Sequence, residues 1–168
     1  MKKNTRHLAH AAIIAGLYAA LTFLQNLLLP GSASWVIQFR ASEALCMLAL
    51  FTPAAVPGLT IGCALFNLTF AGALPLDVPV GSLATLLAVW GMYLCRKLHP
   101  ANLPVPALLF PVLTNAVLVG WELSVYVGGG FWLNALFVAI GEAAVLLSFG
   151  AVLYRAINKR NLTARLFG

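Results

Sequence analysis

Arg40, Glu43, Glu122 and Glu142 interrupt stretches that are otherwise apolar and uncharged. An ionisable group inside hydrocarbon costs at least about 2.5–3.5 kcal/mol and usually faces a partner or a cavity. Arg40 and Glu43 are three residues apart and share one helical face; they are either a salt bridge at a helix start or part of an inner polar site with Gln38 and Ser42. Glu122 follows Asn115 by seven residues, and seven steps of about 100° return to nearly the same face, so one helix should carry an inward polar stripe. Glu142 falls roughly eleven residues, or about 16 Å, into an apolar run, near the middle of a bilayer. There it is either a protonated acid bonded to another helix or the floor of a ligand site. For Asn67, an interhelical amide contact explains the residue about as well as a ligand contact does. Once Arg40 has paired with one acid, an acidic excess remains. Carboxylates accept hydrogen bonds from planar N–H edges or from an ammonium, so a small nitrogen-rich or cationic solute suits these residues better than an anion.

The elements that must position these residues are membrane helices. The 168 residues are 62% hydrophobic and 8% charged, with mean hydropathy +0.96. A soluble domain needs roughly 25% charged residues to wet its surface, so a soluble globular enzyme is nearly excluded. The chain reads as an all-α integral membrane protein, one membrane domain over 1–168, with six spans near 8–29, 38–52, 57–73, 78–95, 104–126 and 131–154. Pro53 and Pro57 divide the uncharged stretch between Glu43 and Asp77 into two helices joined by a turn. The earlier piece reaches only about 22 Å, less than the hydrocarbon thickness. Asp77 is expected to cap the fourth span, Pro111 to kink the fifth, and Gly128, Gly129 and Gly130 to break the chain before the sixth. The basic start followed by an apolar run resembles a signal peptide with a cleavage site near Gly31–Ser34, but the run is long and more spans follow, so an uncleaved first span is expected.

With six spans, Lys2, Lys3, Arg6, Arg96, Lys97, Arg155, Lys159, Arg160 and Arg165 fall on one side and Arg40 on the other, which makes both termini cytoplasmic. Merging the short second helix with its neighbour would give five spans and put the two terminal basic clusters on opposite faces. The excess of ten Lys and Arg over four Asp and Glu is thus topology, not a nucleic-acid surface. Trp121 and Trp132 fit an interfacial aromatic belt, with ligand stacking as the alternative. Ala11, Ala15 and Ala19 recur every four residues, beside Ala12, Gly16 and Ala20, and form a smooth strip for another helix, either of a partner or of the same chain. Cys46, Cys63 and Cys95 have the spacing of neither a disulfide framework nor a zinc site and read as small apolar residues. No phosphate loop, H-E-x-x-H or G-x-S-x-G motif occurs, and His7, His10 and His99 lie far from the carboxylates. Neither a cofactor nor a metal site is expected, and energy for active movement of a solute must come from an ion gradient or another protein.

Four segments taken together carry a resemblance: Ile37 to Leu45 with its Gln-Phe-Arg-x-Ser-Glu core, the turn Phe51 to Gly58, Gly81 to Thr85, and Pro111 to Leu123. They resemble the QueT family, substrate-binding membrane subunits (S-components) of energy-coupling factor (ECF) importers assigned to queuosine precursors. The resemblance implies a six-helix subunit of the bacterial cell membrane that captures solute from outside. It implies partners too, a transmembrane coupling subunit and two cytoplasmic ATPases, and a strip of alanines such as Ala11, Ala15 and Ala19 would meet the coupling subunit. The implied solutes are 7-deazaguanine bases, including the 7-aminomethyl compound, or queuine. Gln38, Arg40 and Glu43 would close the outer side, Asn115 and Glu122 would line a wall, Glu142 would lie beneath, and Asn67 would join them. The alternatives are an S-component or ion-coupled carrier for another small nitrogenous, vitamin-like solute, a structural or assembly membrane protein, and a small intramembrane enzyme using the acids as general acid and base.

Overall fold

The computed structural model describes residues 3–30, 32, 39–70, 73–98, 104–159 and 162. Gln38, the chain around 71–72, His99 and the tail residues Arg160 and Arg165 lie outside the described residues. Those described are helical, with no strand among them. In chain order they form α1 (Lys3–Leu28), a short α2 (Ala41–Leu50), α3 (Ala55–Thr69), α4 (Asp77–Lys97), α5 (Val105–Tyr126) and α6 (Phe131–Lys159). Four of them, α1, α4, α5 and α6, are long and apolar enough to cross a membrane.

Each long helix buries polar side chains among its core residues and exposes large apolar ones. In α1, Tyr18, Thr22 and Gln25 are buried while Leu17, Leu21, Leu24 and Leu28 are exposed. In α5, Asn115 and Glu122 are buried and Leu109, Leu113, Val117 and Val125 are exposed; in α6, Asn134 and Glu142 are buried and Leu136, Ile140 and Leu147 are exposed. Water would penalise such contiguous apolar surface, whereas lipid chains leave it no cost to face outward. The inversion is the physical signature of a membrane protein.

The stretch with Pro53 and Pro57 divides as its prolines require, with α2 ending at Leu50 and α3 starting at Ala55. The Thr52 Oγ1 accepts the Ala54 N–H at 3.3 Å in the turn between them. Sequence periodicity did not foretell that α2 is wound as a 3₁₀ helix over its ten residues. At about 2.0 Å per residue it reaches about 20 Å, and residues three apart eclipse along it.

α1 and α3 are held in close contact by small residues. A Cβ on Gly58 would come 2.8 Å from the Ala11 carbonyl oxygen, and one on Gly62 would come 2.8 Å from that of Ala15. Only glycine permits this backbone approach. The Ala11–Ala15 edge, expected as a partner interface, is therefore buried inside the chain. Ala19 is part-buried, and the small residues left exposed are Ala12, Gly16 and Ala20. Gly128, Gly129 and Gly130 all take positive φ, near 80°, and break the chain between α5 and α6.

Candidate functional site

The site is built on a polar stripe of α1 that sequence reasoning passed over. Tyr18, Thr22 and Gln25 follow at intervals of four and three and so lie on one helical face. Gln25 grips the chain entering α2: its Oε1 accepts the Ala41 N–H at 2.6 Å, and its Nε2 donates to the Ser32 Oγ at 2.8 Å and to the Phe39 carbonyl. Thr22 Oγ1 lies 2.7 Å from Ser42 Oγ. The Tyr18 hydroxyl, wholly buried, donates to Glu43 Oε1, and the Cys46 thiol donates to Glu43 Oε2 at 3.2 Å. Both oxygens of the Glu43 carboxyl are thus held within the chain.

Glu43 belongs to the wall of a small cavity of about 20 Å³ between α2, α4, α5 and α6. Its polar lining is Arg40, Glu43, Thr85, Asn115 and Glu142, and Gly81, Val119 and Val138 complete it. This is room for about one water molecule, so anything larger fits only if the walls part. Glu142 is 7% exposed; its carboxyl meets the Asn115 side chain, and Oε1 has no hydrogen-bond partner among the described residues.

Charge is concentrated in the same place. The chain has four acidic residues, and Glu43, Asp77, Glu122 and Glu142 all interact electrostatically with Arg40. Asn115, Val119 and Glu122 lie along one face of α5, as their spacing requires, and Glu122 is 1% exposed with Oε1 unpartnered among the described residues. The Asp77 carboxyl is an electrostatic neighbour of it. Such a constellation offers hydrogen-bond acceptors and negative charge in a dry setting, suited to holding N–H donors or a cation.

A family model described as the QueT transporter matches residues 8–159. The chain belongs to the QueT transporter family. Comparison with curated proteins and with solved structures finds no match. Membership in a transporter family, together with the outward apolar faces, makes the chain a helical membrane transport protein.

Of the residues singled out in the sequence, Arg40, Glu43, Asn115 and Glu142 come together on the cavity wall. Glu122 stands one helical turn beyond Val119, next to the cavity rather than on its wall. Asn67 is buried just behind the wall: its Nδ2 would lie 2.9 Å from a Cβ on the wall residue Gly81, and it donates to the Asp77 carbonyl at 2.7 Å, tying α3 to the start of α4. Asp77, expected to cap α4, makes no such cap; its Oδ2 accepts the N–H of Leu74, three residues earlier, at 2.6 Å. Asp77, Tyr18 and Thr85 are the members that sequence reasoning missed. The 18, 22, 25 spacing could have revealed the first helix's contribution.

Proposed function

We propose that the chain is the solute-capturing membrane subunit, or S-component, of an ATP-driven ECF importer in the bacterial cytoplasmic membrane, and that its solute is a 7-deazaguanine queuosine precursor. Support comes from family membership and, above all, from one observation: a buried cavity in a lipid-facing bundle is walled by Arg40, Glu43, Asn115 and Glu142. The guanine edge presents two N–H groups that one carboxylate can accept, and a second carboxylate can neutralise an aminomethyl cation; both contacts strengthen away from water. Arg40, Glu43, Asn115, Glu122 and Glu142 are the proposed binding residues, with Gln38 at the outer rim.

In this reading residues 1–168 form one membrane domain of six segments, with α2 and α3 as short members and both termini cytoplasmic, as the basic residues favour. The chain has no phosphate-loop motif, so the ATPases sit on separate subunits. The coupling subunit docks on the exposed small face Ala12, Gly16 and Ala20, since nothing lies within 4 Å of a Cβ built on Gly16.

The test is a binding titration of the purified protein against 7-aminomethyl-7-deazaguanine, queuine, guanine and unrelated vitamins. Saturable binding confined to the deazaguanines is expected, and binding of none of them overturns the proposal. Uptake in cells should stop when the ATPases are deleted; uptake that survives points to an ion-coupled carrier instead. Gly16→Leu should reduce co-purification of the coupling subunit while leaving solute binding intact.

A further inference from the structure

The two acids on the cavity wall are not equivalent. Both oxygens of Glu43 already accept a hydrogen bond, Oε1 from the Tyr18 hydroxyl and Oε2 from the Cys46 thiol at 3.2 Å. Neither donor turns away without repacking the core: Tyr18 and Cys46 are wholly buried, and the Tyr18 Cβ lies 2.8 Å from where a Cβ on Gly62 would stand. The Thr85 hydroxyl donates to the Gly81 carbonyl at 2.9 Å, and the guanidinium of Arg40 only donates. Of the polar side-chain atoms on the wall, Glu142 Oε1 alone is both buried and without a hydrogen-bond partner among the described residues. Burial has already stripped water from this oxygen, so a donor that reaches it makes a bond that was missing. At Glu43 the same donor competes with two that are in place.

We infer that Glu142 is the specificity-determining acid, accepting an N–H from the ring edge of the solute, and that Glu43 shapes the wall without reading the solute. The inference rests on the cavity being the solute site and divides the roles of its two acids. Selectivity then follows from what a solute lacks. A guest with no donor opposite Oε1 leaves that oxygen buried and unmatched, which is how a polar site rejects an analogue missing one group. In Glu142→Gln the side-chain amide can turn either its oxygen or its NH2 toward the solute, so the demand for a donor relaxes. In Glu43→Gln the demand persists, because Glu142 is intact.

Binding titrations on the purified protein compare 7-deazaguanine with two analogues: 7-deazahypoxanthine, which lacks the 2-amino group, and 2-amino-7-deazapurine, which has neither the 6-oxygen nor a proton on N1. At least one analogue should bind wild-type protein roughly 10- to 150-fold more weakly than 7-deazaguanine, the worth of a hydrogen bond to a charged group. Glu43→Gln should keep that ratio within about twofold, whatever its overall affinity, since uncoupled changes add. In Glu142→Gln the ratio should fall by about tenfold, or all binding should be lost from a protein that still melts cooperatively. Where a variant does not fold, Cys46→Ala replaces Glu43→Gln and Glu142→Asp replaces Glu142→Gln, with the same expectations. A ratio that collapses in Glu43→Gln, persists in Glu142→Gln or is near one in wild-type protein overturns the assignment and leaves the solute site standing, as does loss of all binding in Glu43→Gln. Binding of none of the compounds to wild-type protein overturns the solute site and the assignment with it.

Discussion

Glu142→Gln separates a binding acid from a structural one, because the two roles predict opposite signs. Glu142 sits in mid-helix at 7% exposure, with one side of its carboxyl on Asn115, Oε1 unpartnered among the described residues, and the Glu43 carboxyl nearby. A buried polar oxygen left unmatched costs about 1–3 kcal/mol. Glutamine keeps the volume, still offers a carbonyl oxygen on the side of Asn115, and presents an N–H toward the neighbouring Glu43 carboxyl. The protein without solute should therefore be unchanged in stability or gain up to about 1–3 kcal/mol, a rise in Tm of about 2–4 °C for each kcal/mol. Solute binding should weaken by about 2–5 kcal/mol if the lost partner is a buried charged group. That is a loss of roughly 30-fold to a few thousand-fold in affinity. Both quantities can be read on one detergent-solubilised preparation, by thermal unfolding and by binding titration. A variant that melts lower yet binds at wild-type affinity would show that Glu142 braces the bundle, and the reasoning would fail.

Tyr18→Phe removes the phenolic donor from Glu43 Oε1 without changing shape, and should destabilise the protein by about 1–3 kcal/mol, measured by thermal unfolding. Gly62→Leu drives a side chain into the Ala15 carbonyl and the Tyr18 Cβ, both 2.8 Å from the position of its Cβ. Overpacking of this kind costs about 1–3 kcal/mol or more. Because it pushes Tyr18 away from Glu43, solute affinity should fall along with Tm. Trp132→Ala, at a site 83% exposed, should leave solute affinity within about twofold of wild type, since surface positions change energies by about 0.5 kcal/mol or less. A large loss of affinity there would reinstate ligand stacking over the aromatic belt.

The six helical segments were legible because each rests on a local signal: an uncharged run, a proline pair, a glycine triplet. The inward placing of Asn115 and Glu122 was legible for the same reason, since spacing along one helix fixes their common face. The direction of the α1 small strip was not. Two adjacent faces of α1 carry small residues, and only the matching four-residue spacing of Gly58 and Gly62 on α3 decides which one turns inward. Asp77 misled in another way. Its place before a helix suggests a cap, while the Glu122 carboxyl is a tertiary neighbour that no local pattern announces. The 3₁₀ winding of α2 also lay beyond periodicity, because ten residues contain too few turns to separate three residues per turn from 3.6.

That winding matters for the site. Residues three apart eclipse on a 3₁₀ helix, so Arg40 at the entry to α2 and Glu43 one turn on are brought into line on the same cavity wall. The remaining acids reach Arg40 from α4, α5 and α6, so every carboxyl side chain of the chain is spent on one place. Stability does not call for this. A buried ion cluster is commonly matched or bettered by well-packed apolar residues of similar volume, and in hydrocarbon the penalty for ionisable groups is larger still. Nor does satisfaction of hydrogen bonds explain it, since oxygens of both Glu122 and Glu142 stay unpartnered among the described residues. An arrangement that is costly to fold and incomplete in its bonding fits the proposed solute site, where an incoming donor would complete it.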